Sequence, residues 1–311
     1  MNRIALWLIA LGLLVPLLVG CGADEKPEGD FLGTGVDRDE RITEGLYRKT
    51  LVSRAYSVLA EQINVHTEPF EIEPFSKTER VWVIGWKTTA LGGEGEFLPE
   101  DIQCHTLLTN HPLYQEEETP FEGICTDGFT PVFKFPEGFG LSVRAGMRLH
   151  YQPMFNNRHD EGCRVRMKLE VDYVPDSEIK QPMRALHCFA LSVCYPDMYW
   201  VAPHTRDVLT REFEMTFSGR IHAIGGHIHP TGEFVELKRV RDGEVMFTAV
   251  LSKEEKLADR RLSTYSSEKG FYVRKGETFL MTSIHDNQGD ERADAMGGFF
   301  IFFDPEGKPD A

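Results

Sequence analysis

The stretch Arg220 to Gly232 reads R-I-H-A-I-G-G-H-I-H-P-T-G, a β-like run that ends in a proline–glycine turn. In an extended chain His227 and His229, two residues apart, leave the same face of the sheet. Two neutral imidazoles converging on one point suit a borderline ion such as copper or zinc. An isolated H-x-H also fits surface or hydrogen-bonded histidines, so the remaining chain decides between the two.

Outward from this stretch the character is β. Ile63 to Pro74 alternates, and Val81 to Thr88 (V-W-V-I-G-W-K-T) is β-branched and aromatic. Further runs cover Ile102 to Thr109, Gly140 to Tyr151, Arg164 to Tyr173, Cys188 to Tyr195, Phe213 to Ile224, Glu233 to Val240, Val245 to Leu251, Glu277 to Ile284 and Gly298 to Phe303. Short strands at near-regular intervals, punctuated by proline and glycine, predict an all-β chain of two consecutive antiparallel β-sandwich (jelly-roll) domains. Val174 to Pro182 is polar with a proline near each end and marks the junction, giving domains over 63–176 and 177–306. No glycine-rich phosphate loop lies between a strand and a helix, which argues against a nucleotide fold. Asp37 to Gln62 carries Ile42, Leu46, Leu51, Ala55, Val58 and Leu59 near helical spacing, which predicts a short helix.

The chain opens M-N-R, continues apolar from Ile4 to Val19, and reaches Leu18-Val19-Gly20-Cys21. A basic start, a short apolar run and small residues before a cleavage point make 1–21 a secretory signal peptide. Its last four residues resemble a bacterial lipobox, which implies lipid on Cys21 and an exported protein anchored at a membrane surface. Gly22 to Gly35 is acidic and glycine-rich, so 22–62 is read as a tether followed by the short helix. A net charge of -15 and a pI near 5.2 leave no basic stripe for nucleic acid. Five of the six cysteines follow Cys21, and an odd number leaves at least one free, metal-bound or joined to another chain.

Four segments together carry a resemblance: I-Q-C-H-T-L-L-T-N, then F-P-E-G-F-G-L-S-V-R-A-G-M-R-L-H-Y-Q-P-M-F-N-N with the downstream D-E-G-C-R-V-R-M-K-L, the H-x-H stretch, and M-T-S-I-H-D-N-Q-G-D-E-R-A-D-A-M-G-G-F-F-I-F-F-D-P. They resemble the copper type II, ascorbate-dependent monooxygenases, the family of peptidylglycine α-hydroxylating monooxygenase and dopamine β-monooxygenase, over about Val81 to Pro305. The resemblance implies two jelly rolls, each holding one copper, facing each other across a solvent-filled gap. It makes His227, His229 and Met296 the ligands of the oxygen-activating copper, with His222 on an upstream histidine the family also carries. A thioether beside two imidazoles favours Cu(I) over zinc.

For the first, electron-storing copper the resemblance implies His150 and His105, with Cys104 standing where the family has a second adjacent histidine. Cys104 is then either a thiolate ligand or half of a disulfide, with Cys125 one partner, and His66 and His111 are substitute imidazoles. Cys163 matches a disulfide cysteine, and Cys188 and Cys194 are too far apart to bridge each other. His285, in I-H-D-N, reads as a hydrogen-bonded strand histidine near the second site. Where the peptide-amidating branch reads a carboxylate, this chain has Gly225, Gly298 and Phe300, which cannot form charge-assisted bonds. The expected function is a copper-dependent monooxygenase that hydroxylates an activated C–H bond of an exported small molecule with O2 and an ascorbate-type reductant. The alternative, favoured by the missing first-domain histidine, is a copper-binding lipoprotein for storage, delivery or scaffolding; a module without metal is the third reading.

Overall fold

In a computed structural model, residues 38–111, 119–194 and 199–307 are described. The signal peptide, Cys21 and the Gly22 to Gly35 tether lie outside them. The strand Cys163–Pro175 shows how the sequence builds the sheets: Val165, Met167, Leu169 and Val171 are buried, while arginine, lysine and acidic residues between them face outward.

The first sandwich takes its strands in chain order as Leu46–Val52 continued by Tyr56–Val58, Val65–His66 with Phe70–Ile72, Val81–Gly92, Gln103–Thr109, Gly123–Asp127, Val132–Lys134 with Phe139–Val143, Leu149–Phe155 and Cys163–Pro175. One sheet runs first-eighth-third-sixth and the other second-seventh-fourth-fifth, which is the jelly-roll order. The second sandwich repeats it with His187–Ser192, Thr205–Glu214, Gly219–Ile228, Gly232–Arg239, Val245–Val250, Tyr265–Val273, Thr278–Asn287 and Gly297–Asp304. The expected all-β, double jelly-roll architecture is therefore present. Among the described residues no helix is long and apolar enough to cross a membrane.

Three expectations need correction. The helix over Asp37 to Gln62 is instead a hairpin, Arg38–Thr43 with Leu46–Val52, followed by Tyr56–Val58. Both later strands pair with Cys163–Pro175, so the first sandwich begins well before residue 63. Ser53, fully buried between them, accepts the Met167 N–H at 2.8 Å and donates to the Arg54 carbonyl at 2.8 Å. Ser53→Ala is expected to lower stability by about 1–3 kcal/mol in urea denaturation, because the Met167 N–H is left buried and unpaired; a residue in a tether would give no change.

The run Gly140 to Tyr151 is two strands, split by a turn in which Gly146 takes φ +66° and Met147 N–H donates to the Arg144 carbonyl at 3.1 Å. The run Phe213 to Ile224 likewise straddles a strand end at Glu214 and a strand start at Gly219.

The third correction concerns the gap. The edge strand Gly123–Asp127 of the first roll packs on Gly219–Ile228 and His187–Ser192 of the second. Phe121 and Cys188 exchange two backbone hydrogen bonds of 2.8 Å, and the Thr130 hydroxyl donates to the Gly226 carbonyl at 3.1 Å. Phe133 stacks on Trp86 at 4.8 Å and leans on Phe302 at 5.3 Å, so a single apolar cluster crosses the boundary. The face of Gly219–Ile228 that would otherwise meet solvent is covered, which is why all ten of its residues are buried.

Candidate metal centre

The second roll supplies its part of the site through a strand and a turn. Gly219–Ile228 ends one residue before His229, whose N–H donates to the Met296 carbonyl at 3.0 Å and whose carbonyl accepts Gly232 N–H at 2.8 Å. Pro230 and Gly232 occupy the positions such a four-residue turn favours. His227 pairs with Gly298 and Ile228 with Gly297. Continued by one pair, that register sets Met296 opposite His229 and on the same face as both imidazoles.

The first roll supplies its part through a β-bulge. Met154 pairs with His105 but Phe155 pairs with Gln103, so Cys104 is the extra residue. A bulge re-aims side chains that strict alternation would send to opposite faces. Here it brings the Cys104 sulfur within 3.1 Å of His105 Nδ1. The His105 ring lies 4.0 Å from the His227 ring across the domain boundary, and Phe300 meets it edge-on at 5.9 Å. Ligand atoms of Cys104, His227 and His229 all lie within 4.8 Å of one another.

Two carboxylates that sequence reasoning missed orient the imidazoles. Asp127, which pairs with His105 across the sheet, sets its Oδ2 3.0 Å from His227 Nδ1 and accepts the Thr130 N–H at 2.7 Å. Asp294 sets its Oδ2 2.5 Å from His229 Nδ1 and is gripped by Arg158 through two bonds of 2.7 and 2.9 Å. His227 Nδ1 is thus taken by a hydrogen bond and His229 Nδ1 lies against a carboxylate outside hydrogen-bond geometry, while His227 Nε2 and His229 Nε2 are buried with no hydrogen-bond partner among the described residues. Metal-ligating histidines in general have a carboxylate or carbonyl behind the ring and a free nitrogen in front, and this arrangement is similar.

The electrostatics agree with neutral imidazoles at His105 and His227. Burial, reinforced by the neighbouring His229, pushes His227 well below the ordinary histidine value, and burial with His227 does the same to His105. Burial lifts the Asp127 carboxyl to about 6 and the Cys104 thiol to about 12. For Asp294 burial acts upward, but the hydrogen bonds from Arg158 and His229 outweigh it and hold the carboxyl well below its usual range. The cavity beside these groups measures about 10 Å³, room for about one water.

Not every predicted ligand is brought here. His150 pairs with Thr109, four residues along the strand from His105 and so about 13 Å away at the usual rise per residue. The structure therefore does not assemble His105 and His150 into a separate first-domain site. His66 is nearer, since Met154 pairs with His105 on one side and His66 on the other. The His111 ring packs edge-on against Phe121 at 5.5 Å. His222 Nδ1 donates to the Ser267 carbonyl, 2.9 Å away, and the ring stacks on Phe139 at 3.9 Å, apart from the centre. His285 is hydrogen-bonded through both ring nitrogens, to Ser283 at 2.8 Å and Thr231 at 3.2 Å.

The five described cysteines are free thiols, in contrast to the expected disulfides. Cys125 pairs with Leu107 rather than lying beside Cys104, and its thiol instead meets that of Cys188. At the place of a carboxylate reader, a Cβ on Gly298 would come within 2.6 Å of the Leu191 carbonyl, so no longer side chain fits there.

No family model matches the chain, and no curated protein matches it. Among solved structures, it is similar to the major capsid protein P2 from Bacteriophage PM2, at 11% identity over 82% of this chain and 100% of that one with a TM-score of 0.35. It is also similar to peptide N-glycanase F, at 11% identity over 84% of this chain and 97% of that one, TM-score 0.35, and to the STIV major capsid protein, at 9% identity over 82% and 98%, TM-score 0.31. The jelly-roll assignment of this chain rests on its own strand order, and none of these likenesses speaks to the centre between the rolls.

Proposed function

We propose that this is an exported, lipid-anchored copper-binding protein that holds one ion between its two jelly rolls through His227 and His229. The observation that carries the reading is the pair of buried Nε2 atoms without hydrogen-bond partners, one on a ring whose Nδ1 is hydrogen-bonded to Asp127 and one on a ring whose Nδ1 lies 2.5 Å from the Asp294 carboxylate. An unpaired buried polar atom is costly, and a soft cation is a partner that removes the cost at both rings at once. The nearby Cys104 sulfur adds a soft donor, which favours copper over harder ions, and Met296 stands opposite His229 in the strand register. Copper bound here supplies one-electron redox chemistry. The chain's own part is to orient the rings through Asp127 and Asp294, keep His227 neutral by burial, and exclude bulk water.

Hydroxylation of a small molecule with O2 and an ascorbate-type reductant is the second reading. The register of Met296 with His229 favours it, since that is the family's third ligand of the oxygen-activating copper. The narrow cavity and the distance of His150 from His105 favour simple binding. Mature protein loaded with Cu(I) and dialysed is expected to keep one copper per chain, and His227→Ala/His229→Ala to keep none. Two coppers, with substrate-dependent oxygen consumption in the presence of ascorbate, would move the conclusion to hydroxylation; full retention by the double variant removes the site from both readings.

A further inference from the structure

The resemblance assigns Cys104 to an ion of the first roll, beside His150. The geometry points elsewhere. The bulge at Cys104 carries its sulfur toward the second roll, where it lies within 4.8 Å of the ligand atoms of His227 and His229. The residue is 5% exposed, in the same enclosed space as the two free Nε2 atoms. Cys125, its candidate disulfide partner, is committed to Cys188 instead, and Cys104 is a free thiol. His105 Nδ1, 3.1 Å from the sulfur, is placed to hold it in position.

We propose that Cys104 is a third ligand of the ion held by His227 and His229, so that a single Cys–His–His centre is assembled from both rolls. The inference rests on the preceding reading of the two histidines as ligands. On binding, the Cys104 S–H bond ionises, its proton leaves to solvent, and the thiolate electron pair goes to the ion, with no change in oxidation state. The consequence is mechanical as well as chemical. The ion ties the bulged strand Gln103–Thr109 of the first roll to the end of Gly219–Ile228 in the second, and it stabilises the docked arrangement through its binding energy.

The test is titration of the metal-free protein with Co(II) and, separately, Cu(II), each alone, followed by absorption spectroscopy. A thiolate bound to either ion gives a charge-transfer band that imidazole, carboxylate and thioether ligation do not reproduce. The band is expected to grow to one equivalent in the wild-type protein and in Cys125→Ser, and to be lost in Cys104→Ser while the ion still binds. One equivalent bound to the wild type without the band overturns the inference and leaves the two-histidine site standing, whatever Cys104→Ser does on its own. A band that persists in Cys104→Ser overturns it too. No ion bound to the wild type overturns the histidine site itself. Should Cys104→Ser fail to fold, Cys104→Ala, which adds no hydroxyl to the buried position, carries the same comparison.

Discussion

Arg158→Met is expected to lower the free energy of unfolding of the metal-free protein by about 3–5 kcal/mol, the range for removing one partner of a buried ion pair. Asp294 is 3% exposed, and Arg158 grips both of its oxygens. The methionine fills similar space but leaves the carboxylate facing only His229 Nδ1. Adding Asp294→Asn to Arg158→Met is expected to recover much of the loss, because no unpaired charge then remains. Urea midpoints at constant slope measure both effects. A loss below about 1 kcal/mol, the range of exposed pairs, would mean that Asp294 is solvated rather than held. The same substitution is expected to weaken ion binding by about 10–100-fold, since Asp294 is the group that orients His229.

The second large effect is acid lability of the metal-free protein. Burial lowers His285 to about 4 from 6.5. Between those values the unfolded chain binds a proton that the folded chain does not. Its contribution is therefore complete above 6.5 and is lost as the pH falls toward 4, amounting to about 3.5 kcal/mol at about 1.4 kcal/mol per unit. Asp127 works in the opposite direction: raised from 3.8 to about 6, it binds its proton more readily in the folded state, so acidification through that window regains about 3 kcal/mol. These two roughly cancel. His105 and His227, both pushed far down by burial, remain uncompensated and set the sign. Stability is accordingly expected to fall as the pH drops below 6.5, and His285→Gln to remove about 3.5 kcal/mol of that dependence. Equal urea midpoints at neutral and acid pH would show that the buried histidines gain water when the ion is absent.

Legibility in the sequence followed from how each element is buried. Cys163–Pro175 alternates over its whole length and is plain to read. Leu46–Val58 breaks at the buried Ser53, and the interruption shifts its apolar residues into a spacing that imitates a helix. Gly123–Asp127 is buried on both faces and so has no alternation at all, which concealed Asp127 along with the strand. His227 and His229 were visible because a period of two fixes their common face. The direction of Cys104 was not, because it depends on a single extra residue in the pairing of two strands. Arg158 and Asp294 lie far apart in the chain and meet only when the rolls dock.

Each roll joins its first strand to its eighth, Leu46–Val52 to Cys163–Pro175 and His187–Ser192 to Gly297–Asp304. A chain made from its N-terminus onward cannot close either unit until the final segment of that unit has emerged, and pairings of such long range make folding slow. Throughout that interval Cys104 and the H-x-H pair are still strangers, so a nascent chain has no pre-built trap with which to scavenge ions along its route. If the proposed Cys–His–His centre takes an ion, its loading belongs to the finished molecule, in whichever compartment it completes its assembly.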